Sequence, residues 1–254
     1  MKKKILSVVL AAVCVLSLAA CGSKADSKES KKDTIVMATN AEFPPYEYYE
    51  GDKVVGIDAE FAAAIAEKLG MELKIEDMAF DSIIPAVQSG KADFGAAGMT
   101  VTDERKSQVD FSDSYYTGRQ VIIVKEDNTE ITGPDDLTGK KIGVQLGTTG
   151  DIYASGDYGD ENIERFNKGF EAVQSLGQGK IDAVVIDDQP AKTFVEENEG
   201  LKILDTEYVE EDYALCFKKD SDLVDQVNDA IAALKADGTF DKIVEKYIGT
   251  ETAE

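Results

Sequence analysis

The chain has 254 residues, 43% hydrophobic and 30% charged, enough to bury a core in one or two domains without disulfide or metal staples, and too apolar to be disordered throughout. Its formal charge of −23, from 50 acidic against 27 basic side chains, repels nucleic-acid phosphates instead of releasing their counterions. Histidine is absent, which removes imidazole bases, His-dependent triads and the usual zinc ligands, so no catalytic residue, metal or other cofactor is expected.

Met1 to Lys4 is a short basic start, and Ile5 to Ala20 is an apolar run too short to span a bilayer but shaped like a secretory signal. It ends in Leu18, Ala19, Ala20, Cys21 and Gly22, which resembles the lipobox of bacterial lipoproteins. That resemblance implies removal of residues 1–20 and a diacylglycerol on Cys21; a plain secretory signal with a free Cys21 thiol is the alternative. Acyl chains at about 0.8 kcal/mol per buried CH₂ hold a protein on a membrane face when two or more are present. Residues 21–33 lack large apolar side chains and are rich in Ser and Lys, as a flexible tether should be. Cys14 leaves with the signal, so Cys216, inside the apolar run from Tyr213 to Phe217, has no disulfide partner and is expected as a core thiol.

From Thr34 onward, β-type runs alternate with amphipathic helical ones, which argues for an α/β architecture with largely parallel sheets. Thr34 to Ala38 reads as a strand. Asp58 can cap a helix carrying Phe61, Ile65 and Leu69 at four-residue spacing, closed by Gly70. Met71 to Ile75 follows as a strand, Asp81 to Ser89 as a helix and Ala92 to Ala97 as a strand. A second set comprises strands at Gln120 to Val124, Lys141 to Val144, Ile163 to Phe166 and Asp182 to Ile186, with helices opening near Thr148 and from Phe170 to Leu176. Gly90-Lys-Ala-Asp-Phe-Gly95 is echoed by Gly179-Lys-Ile-Asp-Ala183, each after a helix and opening a strand, which suggests two similar lobes. Two amphipathic helices end the chain, one through Leu223, Val227, Ile231 and Leu234 and one through Phe240, Ile243, Val244 and Tyr247, and are expected to return to the first lobe.

Chemistry concentrates where strands end, the place at which open α/β sheets bind ligands. After Ala97, Gly98 and Thr100 comes Thr102, which can cap a short helix with Asp103 and Glu104 in its first turn and Arg105 one turn in. Arg105 can take a carboxylate in a bidentate fork, or it can pair with Glu104 or Asp103 in solvent. Asp187 and Asp188 follow the apolar run Ala183 to Ile186, where a carboxylate can receive an ammonium or cap the next helix. Gly147 to Gly150, with Thr148 and Thr149, joins a strand to a helix and can bind an anion, although it lacks the Lys and spacing of a phosphate-binding loop. In the loop Thr39 to Glu47, Pro44 and Pro45 stiffen the backbone; Phe43, Tyr46 and the later Phe80 can form a slot for a side-chain stem or a guanidinium plane, or can be core.

Taken in order, the lipobox, ATNAEFPPYE, FDSIIPAVQSGKAD, AAGMTVTDERKSQVDFSDSYY, GKKIGVQLGTTG and KIDAVVIDDQPA resemble the polar amino-acid-binding proteins of ABC importers, the solute-binding proteins of family 3, over about Thr34 to Ile248. The resemblance implies a two-lobe, periplasmic-binding-protein-like (type II) fold that closes on its ligand, with two hinge-crossing strands near Thr117 to Gln120 and Glu210 to Tyr213. Lobe 1 is then residues 34–117 and 213–254, and lobe 2 residues 118–212. It assigns Arg105 to the ligand α-carboxylate, Thr100 and the Gly98 backbone to the carboxylate and ammonium, and Thr149 to a second carboxylate contact. Asp187 would receive the α-ammonium, and Phe43 and Phe80 would sandwich the side chain. Asn40 stands where histidine- and lysine-binding members often have an aspartate, Ala97 where they have a serine, and Gln145 at a position that varies with specificity. Glu42 can compensate by facing a cationic head, or it can point into water.

The expectation is a monomeric, lipid-tethered receptor on the extracytoplasmic face of a bacterial membrane. It captures an L-amino acid, arginine or lysine before glutamine or cystine, for an ABC permease with a cytoplasmic ATPase. The same fold hosts a cyclohexadienyl dehydratase, for which Glu42 is the one candidate acid. A membrane-spanning sensor would need more chain after Ile248 than the six residues Gly249 to Glu254.

Overall fold

The computed structural model describes residues 33–249; the leader, Cys21 and nearly all of the tether lie outside the described residues. Strand β1 (Thr34–Thr39) leads into the hairpin-like run β2 (Glu42–Phe43), β3 (Glu47–Glu50) and β4 (Lys53–Val55), then helix α1 (Ile57–Lys68) and β5 (Glu72–Asp77). Asp58 does not cap α1. The first N–H groups of that helix find backbone acceptors instead, Ile57 N–H donating to Pro45 O at 3.0 Å and Asp58 N–H to Tyr46 O at 2.8 Å. Gly56, at φ 118°, makes this tight approach possible, and Asp58 is left buried in the first turn. Gly70, with φ 70°, follows the end of the helix as expected.

The predicted helix at 81–89 starts as a single 3₁₀ turn, Phe80–Ser82, before α2 (Ile83–Ser89). The strand expected over 92–97 shortens to β6 (Phe94–Gly95), because beyond Gly95 the chain turns away to build the cleft wall. Then come α3 (Asp103–Lys106), β7 (Asp110–Phe111), β8 (Tyr116–Lys125), β9 (Ile142–Gln145), α4 (Thr149–Tyr158), β10 (Ile163–Phe166), α5 (Gly169–Gly177) and β11 (Ala183–Asp187). The chain ends with α6 (Asp188–Glu197), β12 (Leu201–Tyr213), β13 (Cys216–Phe217), α7 (Leu223–Ala236) and α8 (Thr239–Ile248).

Two five-stranded sheets result, in the orders β5-β1-β6-β13-β7 and β10-β9-β11-β8-β12. Pairing is parallel where a helix makes the crossover, at β1 with β5 and β6 and at β9 with β10 and β11; β7, β8, β12 and β13 pair antiparallel, so the sheets are mixed. The long strands β8 and β12 run side by side as far as Tyr213↔Tyr116 and continue into β13 and from β7 of the other sheet.

The repeated Gly-Lys-x-Asp motif has one physical meaning in both sheets. Gly90 and Gly179 turn the chain in the left-handed region after their helices, at φ 74° and 72°. Asp93 then takes Val36 N–H at 2.7 Å, and Asp182 takes Lys141 N–H at 2.8 Å, each aspartate clamping its strand to the preceding one. The tail helices pack on the first sheet: Val227, Ile231, Phe240 and Val244 share one core with Ile35, Met37, Phe61 and Phe217. A second core under the other sheet includes Val121, Ile123, Leu176, Ile186 and Phe194. Cys216 is a buried free thiol, and burial pushes its pKa up to about 12.

Candidate functional site

A cleft lies between the strand ends of the two sheets; its empty space, open solvent included, is about 340 Å³. Ten residues singled out in the sequence line it: Asn40, Phe43, Phe80, Ala97, Gly98 and Thr100 from the first half, with Arg105 beside them, and Gln145, Thr148 and Thr149 from the second. Their convergence follows from topology. β1 delivers Asn40, the turn after β6 delivers Ala97 to Thr100, and the turn between β9 and α4 delivers Gln145 to Thr149.

Arg105 is positioned by its own short helix. Thr102 caps α3 by accepting Arg105 N–H at 3.1 Å, and the guanidinium, only 4% exposed, reaches back to Thr100 O (Nη1, 2.8 Å) and across to Gly147 O (Nη2, 3.1 Å). It also stands 5.3 Å from the centroid of the Phe80 ring, a cation–π distance. It does not pair with Asp103 or Glu104, and no carboxylate lies in ion-pair range of it among the described residues. Burial lowers its pKa and the Glu211 carboxylate raises it, but an arginine stays charged in either case. The result is a buried cation awaiting an anion.

The second half meets the first through side chains. Gln145 Nε2 donates to Asn40 Oδ1 at 2.8 Å, and Asn40 Nδ2 donates to Met78 O at 3.0 Å, which orients that amide. Phe43 packs against the cores of both sheets. The anion nest expected at 147–150 is largely satisfied from within. Thr148 caps α4 and donates to Gln145 O at 2.8 Å, Gly147 N–H donates to Asp151, and Thr149 donates to Glu211 Oε2 at 2.9 Å.

Three predicted residues stand elsewhere. Tyr46 is fully buried and stacks among Phe43, Tyr116 and Tyr213, so it is core and not the wall of a slot. Glu42 forms an ion pair with Lys168 from the opposite half, so its carboxylate is not directed at the cavity. Asp187, 1% exposed, caps α6 by accepting Gln189 N–H at 3.3 Å and does not line the cavity; its Oδ2 is buried without a hydrogen-bond partner.

Glu47, Gln120 and Tyr213 line the cavity without having been singled out, and Glu211 sits directly behind it. Glu211 hides in the acidic run Glu210-Glu211-Asp212, which reads as a solvated edge. Its two-residue spacing from the apolar-flanked Tyr213 was the available signal, since alternate residues of a strand share a face.

The carboxylates are strongly perturbed. Burial pushes Glu47 well above the ordinary range, and the neighbouring Asp58 adds to it. Asp187 is pushed up by burial and by Asp188. Asp58 is raised to about 6 by burial, against the opposing hydrogen bonds from Gly98 N–H at 2.8 Å and the Tyr115 hydroxyl at 2.7 Å. A carboxyl whose folded pKa exceeds its unfolded value binds its proton more tightly in the native state, so the stability it contributes is lost as pH rises through the folded pKa. The stability Asp58 contributes is therefore expected to be lost between about pH 4 and about pH 6, so the melting temperature of the ligand-free protein should fall as pH rises through that window. On the acid side Asp237, held at about 2 by Thr239 and Lys68, works in the opposite sense. Scanning calorimetry checks the sign; a melting temperature rising steadily from about pH 4 to about pH 6 would contradict it.

Known proteins share this sequence pattern and fold. The arginine-binding extracellular protein ArtP of Bacillus subtilis is 39% identical over 98% of this chain and 99% of its own length. An ancestral arginine-binding protein, solved bound to arginine and bound to glutamine, is 43% identical with a TM-score of 0.81 in both forms. It covers 86% of this chain, and the match spans 100% and 99% of those two chains respectively. These relatives share the two-lobe α/β architecture of amino-acid-binding proteins. The family profile matches residues 35–250, and the chain belongs to the bacterial extracellular solute-binding proteins, family 3.

Proposed function

We propose that this protein captures a free L-amino acid with a cationic side chain, arginine before lysine, and delivers it to a permease driven by a cytoplasmic ATPase. In this reading residues 34–117 with 213–254 form one lobe and residues 118–212 the other, moving about β8 and β12. A lipid on Cys21 keeps the monomeric receptor on the extracytoplasmic face of the membrane.

The observation that carries the ligand class is a set of buried carboxyl groups short of cationic partners. Around the cavity one guanidinium, Arg105, is accompanied by three buried carboxylates, Glu47, Glu211 and Asp187. Both oxygens of Glu47, Oε1 of Glu211 and Oδ2 of Asp187 lack a well-formed hydrogen bond, with Asp58, Tyr153 and Tyr46 as their respective polar neighbours. Buried charges are tolerated when paired. A ligand carboxylate on Arg105 satisfies the guanidinium, and an α-ammonium and a side-chain cation can each meet one of the buried carboxyls, one more than a neutral amino acid can meet. The relatives solved or named with arginine support the same choice.

A thermal-shift panel of the twenty amino acids and cystine tests it. Arginine at a hundred times its dissociation constant should stabilise the protein by about 2.7 kcal/mol; no shift from any basic amino acid removes the proposal. Glu47→Gln should weaken arginine by about tenfold to a hundredfold, the worth of one charge-assisted hydrogen bond, while glutamine binding changes less than threefold by about the same reasoning. Equal losses for both ligands would place Glu47 away from the side-chain cation. No catalysis is proposed: Glu42, the acid a dehydratase reading would need, is paired with Lys168, and prephenate incubated with the protein should be recovered unchanged.

A further inference from the structure

Two carboxyl groups meet in the wall of the cleft. Glu47, on β3, is 1% exposed and lines the cleft, and Asp58, in the first turn of α1, is fully buried beside it. Among the described residues neither has a lysine or arginine in ion-pair range. We infer that Glu47 and Asp58 hold one proton between them and that a cationic ligand side chain reaching Glu47 expels it, so that capture of such a ligand exchanges a cation for a proton.

The donors decide where the proton sits. Asp58 accepts Gly98 N–H on Oδ2 at 2.8 Å, and the Tyr115 hydroxyl lies 2.7 Å from Oδ1 and 2.8 Å from Oδ2, as suits an ionised carboxylate. Neither oxygen of Glu47 accepts a well-formed hydrogen bond, and its polar neighbour is the Asp58 carboxyl. Two adjacent carboxyls in a dry site do not both ionise; one keeps a proton and turns it towards the other. Asp58 has the donors, so the proton belongs to Glu47. The other groups facing the pair act in the same direction. Asp77 on β5 and Asp187 on β11 are acids that oppose a further negative charge on Glu47, and the one hydroxyl proton of Tyr115 is committed to Asp58. Arg105 is the one basic side chain lining the cleft, and its hydrogen bonds go to Thr100 O and Gly147 O.

A guanidinium or ammonium brought against the cleft side of Glu47 favours the ionised carboxyl. The O–H bond then breaks and the proton passes to solvent. The new carboxylate has the ligand cation as its partner, while Asp58 keeps Gly98 and Tyr115. A neutral side chain leaves the proton in place. Glu47 therefore separates cationic from neutral amino acids in a pH-dependent way. One released proton makes affinity rise by up to about tenfold per pH unit on the acid side of the pair's titration.

Proton exchange rests on the reading that the ligand is a cationic amino acid, and two measurements keep the failure of one apart from the failure of the other. Infrared spectroscopy of the ligand-free protein at neutral pH, with an isotope label on its glutamate carboxyls, should show a protonated carboxyl band that is lost in Glu47→Gln. Absence of a Glu47-dependent band overturns the shared proton whatever the ligand is. Calorimetry in buffers of different ionisation enthalpy then counts protons. Arginine should release about one proton more from the unaltered protein than from Glu47→Gln, whereas glutamine should release the same number from both. An arginine count unchanged by the substitution, as a merely structural role of Glu47 would give, overturns the exchange even if affinity falls. If no cationic amino acid binds the unaltered protein, the ligand reading falls and the exchange with it, while the infrared band still decides whether the pair holds a proton.

Discussion

Arg105→Ala should raise the dissociation constant for arginine at least a thousandfold, about 4 kcal/mol, from the loss of a forked pair of charge-assisted hydrogen bonds to the α-carboxylate. The size follows from burial. The guanidinium is 4% exposed, its hydrogen bonds go to the neutral carbonyls of Thr100 and Gly147, and it is pinned against Phe80, so little reorganisation is needed when an anion arrives. Arg105→Lys keeps the charge but loses the fork and should fall between the two proteins. Because Arg105 also ties Thr100 O to Gly147 O across the halves, calorimetry must be accompanied by the ligand-free melting temperature. A well-folded Arg105→Ala protein that binds arginine within tenfold of the unaltered one would remove Arg105 from the ligand site.

Gly56→Ala should cost about 3 kcal/mol or more of stability, lowering the melting temperature by about 10 °C for a domain of this size. A Cβ built at residue 56 would lie 2.2 Å from Tyr46 O and 2.8 Å from Pro45 O, both backbone atoms that cannot step aside without dismantling the loop. The backbone there, at φ 118°, is also one that L side chains rarely adopt. That loop carries Phe43 and Glu47, so arginine affinity should fall with stability. Gly70→Ala is the control: φ is 70° but nothing lies within 4 Å, so only the left-handed penalty of about 1–2 kcal/mol applies. Equal effects of the two substitutions would mean that the close approach at Gly56 is unimportant.

These two sites differ in how they could be foreseen. Arg105 follows a capping threonine and a strand, and the cap and the short helix follow from residues within one turn of each other, whereas the burial of the guanidinium depends on the distant Gly147 and Phe80. Gly56 has no local signature: the acidic Asp58 two residues on looks like the cap, yet the first N–H groups of the helix go to the carbonyls of Pro45 and Tyr46, far back in the chain. The lipobox, signal and tether remain legible only as sequence, since they lie outside the described residues.

What the order of residues determined unaided was everything governed by short-range physics. This includes the four-residue period of α1, the threonine cap at 102, a helix opening near Thr148, the paired Gly-Lys-x-Asp turns, the lone core thiol at 216, and the strand-end positions of Asn40, Gly98, Thr100, Arg105 and Thr149. Tertiary structure alone decided which carboxylates serve the cavity. Glu47 and Glu211 were indistinguishable from solvated acids, while Glu42 turned to Lys168 and Asp187 to the start of α6. A carboxylate's environment is set by partners far away in the chain, such as Thr100 and Thr149 for Glu211, separated from it by 111 and 62 positions. No local periodicity encodes contacts at that range; they exist only once the strand ends of the two sheets meet and exclude the water that would otherwise satisfy these groups.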